Sequence, residues 1–254
     1  MRNINEYLTH FLNIYLSYLE VELYSSMFED SIVGRNIDAL VVFQDTFCLL
    51  LTKNLKDNEI QELLENSQDV ANAYINEAYD NQIKTLKPLN SKDFSILLGD
   101  KEFIDLIKEY QVAYKDFLQY LPRLGLSNEV LKQFHINKEG NILVQSILEF
   151  NNALAHISNT FYSNDEVKDK SGNIKKAKNH IYRAILDNYK MLLRFMIPAI
   201  RETMTENLWQ NYRKIRIDEF LFLGRNITDK TKNNETMTKR YKEFFNVCLS
   251  IQNH

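Results

Sequence analysis

Apolar residues recur along most of this chain at steps of three and four, the period of a helix with one buried face. Ile4, Tyr7, Leu8, Phe11, Tyr15, Tyr18, Leu19 and Leu23 make the first stripe, which predicts a long helix reaching about Glu29. Asn36 stands where a cap would open a second helix over about 37–54, and a third, acidic helix is predicted over about 59–85. Beyond Pro88 comes a short helical piece near Asp93. Asp100 then reads as the N-cap of a helix over about 101–121, and Ser127 as the cap of a short one through Phe134. Residues 137–140 read as a loop. The most regular stripe follows: Leu143, Ile147, Phe150, Leu154, Ile157 and Phe161, on a helix over about 141–163.

A polar loop over 164–172 separates that helix from the next, whose stripe is Ile174, Ala177, Ile181, Ile185, Tyr189, Leu192 and Met196. Pro198 falls inside this pattern and predicts a kink or break near Ile197, because proline removes a helical hydrogen bond and crowds the preceding turn. Two last helices are predicted over about 205–223 and 230–251. The six glycines and the prolines Pro88 and Pro122 fall mostly where periodicity stops and read as punctuation. No stretch alternates apolar and polar residues long enough for a sheet. The predicted fold is all-α, a bundle of about eight to nine helices. The weakest joint lies between Pro122 and Gly140, dividing the chain into halves at 1–135 and 141–254, or leaving one continuous domain.

Composition adds a polarity to this picture. Residues 1–167 carry 13 Lys/Arg against 25 Asp/Glu, whereas residues 168–254 carry 18 against 9, so a formal net charge of −3 hides an acidic half and a basic half. Such a distribution suits a polyanion, an acidic partner, or the protein's own two ends. The 14 Tyr and 15 Phe can fill a sizeable interior. The N-terminal residues lack the basic start and apolar run of a signal peptide, and the most apolar stretch, 39–52, is interrupted by Asp45, so a cytoplasmic protein with no membrane partner is expected. Cys48 and Cys248 form neither a metal motif nor a disulfide framework.

Several chemistries are excluded by missing motifs. The sequence has no glycine-rich phosphate loop, no His-Glu-x-x-His or Glu-x-x-His pair and no Gly-x-Ser-x-Gly, so no cofactor and no metal site is predicted. The informative segment is Phe150-Asn151-Asn152-Ala153-Leu154-Ala155-His156-Ile157. With the apolar stripe inward, the opposite face presents Glu149, Asn152, His156, Asn159 and Ser163. A histidine there can act as a general acid or base near neutrality, or simply sit at the surface.

This segment resembles the signature of HEPN-type helical domains, in which an arginine, a polar residue, any three residues and a histidine share one helix. His156 matches the histidine and Asn152 the polar residue, while Asn151 stands at the arginine position. The resemblance covers about the last 115 residues. It implies a helical bundle, a homodimer, and a setting in bacterial defence or toxin–antitoxin systems, as a metal-independent ribonuclease or as an inactive binding version. In such a nuclease the ribose 2′-hydroxyl attacks the neighbouring phosphate and a cation stabilises the added charge. Asparagine at 151 supplies no charge, so the resemblance implies a degenerate, non-catalytic version.

Two further clusters bear on function. On the following helix His180, Arg183, Asp187, Lys190 and Arg194 recur at three- and four-residue steps, either as a solvated flank or as a surface facing His156, with Arg183 supplying the missing cation. Towards the C-terminus, Arg213, Lys214, Arg216, Arg225, Lys230, Lys232, Lys239, Arg240 and Lys242 interleave with Trp209, Tyr212, Phe220, Phe222, Tyr241, Phe244 and Phe245. That mixture holds single-stranded nucleic acid through phosphate contacts and stacking, although aromatic residues at helical spacing also build cores. The reading that follows is an interaction or regulatory protein with a protein partner or a second copy of itself. An active ribonuclease using His156 with Arg183, and an RNA-binding module using the basic region, are the alternatives.

Overall fold

The computed structural model describes residues 4–25, 36–78, 86–90, 92–134, 136–137, 142–162, 168–221 and 236–252. Nearly all of them are helical, arranged as ten α-helices with two short 3-10 turns and one two-stranded ladder. The fold is an all-α multi-helix bundle. Among the described residues, no helix is long and apolar enough to cross a membrane.

The predicted stripes account for most boundaries. Helices α1 (Ile4–Ser25), α2 (Ile37–Thr52), α3 (Asp57–Ala78), α4 (Ser95–Leu98) and α5 (Lys101–Tyr120) follow one another as the periodicity requires. The Asp100 carboxylate accepts the Phe103 amide at 3.0 Å, and Ser127 Oγ accepts the Val130 amide at 3.4 Å, so both predicted caps satisfy free N–H groups, the second at the start of α6 (Asn128–Gln133). Gly125 ends the 3-10 turn at Leu121–Leu124 with φ +59°, a left-handed conformation that a side chain would strain.

Four expectations are corrected. Asn36 makes no side-chain cap. Its amide instead donates to Tyr18 Oη at 3.1 Å and to Glu22 at 3.0 Å, so its polar atoms serve the interior. Ile142–Leu143 is strand β2, paired antiparallel with β1 (Ile136–Asn137), and α7 begins only at Val144 and runs to Tyr162. The loop predicted over 164–172 is helical where it is described: α8 spans Lys168–Ile200 and includes Gly172, and residues 164–167 lie outside the described residues. Finally, α8 does not break at Ile197. It continues past Pro198 to Ile200 and passes into the 3-10 turn Arg201–Thr203, because a proline this near a helix end forfeits only one hydrogen bond. Helices α9 (Glu206–Leu221) and α10 (Met237–Gln252) complete the chain, and Gly34, Gly140 and Gly224 lie outside the described residues.

Packing divides the chain into two compact units, one of residues 1–108 and 150–177, the other of residues 109–149 and 178–254. The first is built on a cluster of phenylalanine rings. Phe47 of α2 meets Phe11 of α1 at 5.6 Å, Phe103 of α5 at 6.5 Å and Phe150 of α7 at 6.4 Å between ring centroids. All four rings are buried, which gives the apolar stripes of four helices a common meeting point. In the second unit the stripe of α8 from Ile181 to Met196 is buried, and Phe245 of α10 packs on Tyr120 and Tyr189.

Phe47→Ala is expected to lower stability by about 3–5 kcal/mol, because its cavity would open among rings from three other helices. Replacing the exposed Ile96 by alanine should change stability by less than about 0.5 kcal/mol. Urea unfolding of both variants checks the contrast.

Candidate functional site

The described candidate residues fall into four groups. His156 and Asn151 lie on the α7 stretch that belongs to the first unit. Asn151 Oδ1 accepts a hydrogen bond from the buried Tyr15 hydroxyl at 2.7 Å, and its backbone carbonyl lies 3.1 Å from the same hydroxyl. The position that carries arginine in the HEPN-type signature is therefore engaged with the interior of the unit. Asn152 is exposed and His156 half-exposed, with His156 Nδ1 lying 3.3 Å from Asn173 Oδ1 of α8. Asn173 in turn donates to Asn159 Oδ1 at 2.8 Å, so a polar seam of side-chain amides follows this face.

The second group lies in the other unit. Glu149 Oε2 stands 2.7 Å from His180 Nδ1 and accepts from Arg183 Nε at 3.1 Å. An Arg183 Nη2 also lies 2.7 Å from His180 Nδ1. A single ring nitrogen cannot donate to the carboxylate and accept from the guanidinium together, so the tautomer decides which bond forms. Burial would raise the Glu149 carboxyl, but the His180 hydrogen bond and the Arg183 charge outweigh it and hold it below the usual range. Arg183 is thus committed to Glu149 and His180, while His156 Nδ1 faces Asn173.

The third group forms a cleft. Asp187, Lys190, Met191 and Arg194 occupy successive turns of one α8 face, and Tyr212, Arg216, Glu219 and Phe220 occupy one α9 face. They enclose a cavity of about 530 Å³, within the size range of small-molecule sites, with Leu143 and Gln145 completing its wall. Its electrostatics centre on Glu219, which accepts from Lys190 Nζ at 2.6 Å and from Arg216 at 3.1 Å. The Tyr241 hydroxyl of α10 also donates to Glu219 and accepts from Arg216 at 3.1 Å. Burial would raise the Glu219 carboxyl, yet the bonds from Lys190 and Tyr241 keep it below its ordinary value.

Asp187 behaves oppositely. Burial pushes its carboxyl up to about 6; Lys190, at 3.9 Å, opposes the rise, whereas Glu149 and Glu219 add to it. Arg194 lies over the Phe134 ring at 5.2 Å and makes no ion pair among the described residues.

Helix α9 presents a further surface. Only Ile215 of its sixteen residues is buried, and Phe220 is 70% exposed, Leu221 58% and Ile217 57%. Arg213 and Lys214 are exposed and form no ion pair among the described residues, and a second hollow along this helix is lined by Trp209, Tyr212, Arg213, Lys214, Arg216 and Ile217. The aromatic residues of the C-terminal region therefore divide. Tyr241, Phe244 and Phe245 of α10 are core, whereas Trp209 and Phe220 of α9 reach the surface. Among the cations, Arg240 is paired with Asp218 at 2.7 Å and Lys239 with Glu243 at 3.6 Å, and Arg225, Lys230, Lys232 and Phe222 lie outside the described residues. Sequence reasoning missed Glu219 as the centre of the cleft; its position on the α9 stripe with Tyr212 and Arg216 was the available signal. Among the described residues, no group of His, Cys, Asp and Glu could hold a metal ion.

Comparison with protein-family models gave no match, and comparisons with curated proteins and with solved structures gave none either.

The raised Asp187 carboxyl has a consequence for stability. As pH climbs from about 4 to about 6 the unfolded chain ionises first, so the folded state loses stability over that window and carries the full penalty above it. Asp187→Asn should therefore leave stability nearly unchanged at pH ~4 and raise it by ~2 kcal/mol at pH ~7.5. Urea unfolding at the two pH values checks this, and an equal effect at both would contradict it.

Proposed function

We propose that this chain is a helical binding protein rather than a nuclease, and that its ligand is single-stranded nucleic acid held along α9. The observation that carries the reading is the character of that helix. It buries a single side chain and turns Trp209, Arg213, Arg216, Ile217 and Phe220 outward together. Aromatic and apolar surface interleaved with guanidinium groups supplies the two interactions a flexible polyanion needs, stacking for its bases and charge for its phosphates. Basic and apolar residues are mixed on this face rather than separated onto two, which a helix lying in a membrane interface would require.

The degenerate HEPN-like segment agrees with binding without cleavage. Asn151 carries no charge, and its bond to the Tyr15 hydroxyl engages the side chain in packing. The cation needed to stabilise a pentacoordinate phosphate is missing from that position. Arg183, the substitute considered from the sequence, is engaged by Glu149 and His180.

Labelled single-stranded RNA with a 5′-hydroxyl end should bind the purified chain, with affinity falling steeply between about 50 and 200 mM salt. Charge reversal at Arg213 and Lys214 should weaken it by at least ~10-fold and flatten the salt dependence. In chelator the RNA should remain intact, with parent and His156→Ala proteins alike. Cleavage by the parent that is lost in His156→Ala would overturn the reading in favour of a metal-independent nuclease. Affinity indifferent to Arg213 and Lys214 would remove α9 from it.

A further inference from the structure

The cleft between α8 and α9 shares Tyr212, Arg216 and Phe220 with the outward side of α9 and adds the charged face of α8. Its lining brings three cations, Lys190, Arg194 and Arg216, against two carboxylates, Asp187 and Glu219. Lys190 and Arg216 share the Glu219 carboxylate and Lys190 also reaches Asp187 at 3.9 Å, so the three cations outnumber the two carboxylates by one. Arg194 lies over the Phe134 ring and has no carboxylate partner among the described residues. A guanidinium so placed offers parallel N–H donors to a tetrahedral oxyanion, the geometry in which arginine binds phosphate best. The same cavity carries flat apolar surface. The Tyr212 ring is steadied by stacking on Phe244 at 5.1 Å, and Phe220 stands 70% exposed on the same helix face. Met191 adds a polarisable side chain from α8.

We propose that this cleft binds a phosphate monoester attached to a planar base, supplied either as a free mononucleotide or as the phosphorylated end of an RNA strand. The phosphate sits against Arg194, and Lys190 and Arg216 add the charge that a dianion attracts. The base lies against Phe220 and Tyr212, where stacking needs no sequence preference. An uncharged nucleoside would forgo the charge-assisted bonds, and inorganic phosphate would forgo the ring contacts, so neither half alone should satisfy the site. The inference rests on the nucleic-acid reading of α9 but extends it, because it concerns the end of a ligand rather than its backbone.

The test uses the full chain and isothermal titration with adenosine 5′-monophosphate, adenosine and inorganic phosphate. A second arm uses one short RNA carrying either a 5′-phosphate or a 5′-hydroxyl. In at least one arm the phosphorylated ligand should bind at least ~10-fold tighter than its phosphate-free counterpart, as the loss of a charged hydrogen bond implies. Arg194→Gln should abolish that preference, Phe220→Ser should weaken binding of the base, and Arg201→Gln, outside the cleft, should change neither. Arg194 and Phe220 are exposed, so unfolding curves should show these variants folded. The arm that responds identifies the source.

Equal affinity for phosphorylated and unphosphorylated ligands in both arms would overturn the proposal, as would a preference that survives Arg194→Gln, or inorganic phosphate binding as tightly as the nucleotide. Should the cleft fail in one of these ways, hydroxyl-ended RNA that still binds through Arg213 and Lys214 leaves the α9 reading standing. Nucleotide binding without RNA binding would do the reverse.

Discussion

Helix α9 buries little of its apolar surface within its unit, and the candidate site depends on that constraint. With only Ile215 buried, much of its attachment is polar, Lys190 to Glu219 from α8 and Tyr241 to Glu219 and Arg240 to Asp218 from α10, beside the stacking of Tyr212 on Phe244. Ion pairs need contact at points, whereas an apolar seam needs it along a line. A helix held at points leaves space between its neighbours, and here that space is the cleft beside Asp187 and Arg194. The same shortage of buried surface leaves Ile217, Phe220 and Leu221 in solvent, beside cations with no ion-pair partners among the described residues.

The first unit follows the opposite rule. Several of its polar groups are drawn inward and tied to specific partners, Asn36 to Tyr18 and Glu22, Asn151 to Tyr15, and Thr46 to Ser67 at 2.9 Å. Buried amides and hydroxyls cost stability unless paired, so each of these contacts fixes a register between helices. The histidine-bearing stretch of α7 carries this character: Asn151 serves packing, and His156 joins the amide seam of Asn173 and Asn159. This local chemistry accords with a helix retained as scaffold.

Much of the fold was legible because helical periodicity is a local property. The stripes from Ile147 to Phe161 and from Ile174 to Met196 are buried residue by residue as their spacing predicts. The caps at Asp100 and Ser127 were equally local. What the pattern could not give was any choice decided by a distant partner. Asn36 left its cap position for Tyr18 and Glu22, and Ile142 and Leu143 left the helix to pair with Ile136 and Asn137. The polar residues before Ile174 joined α8 despite a composition that reads as loop. At the site, Asp187, Lys190 and Arg194 were visible as a charged flank and Arg216 among the C-terminal cations, but the spacing of either set did not reveal Glu219 as the shared partner of Lys190 and Arg216. The division of the C-terminal aromatic residues into a core set on α10 and a surface set on α9 was likewise invisible, since both helices show comparable spacing.

Photochemical crosslinking of single-stranded RNA to the intact chain, followed by peptide mapping, tests the central claim most directly. Crosslinks are expected to concentrate in the α9 peptide, at Trp209, Tyr212 or Phe220, and to disappear at high salt. Crosslinks confined to the acidic α3, or to the α7 stretch around His156, would contradict it.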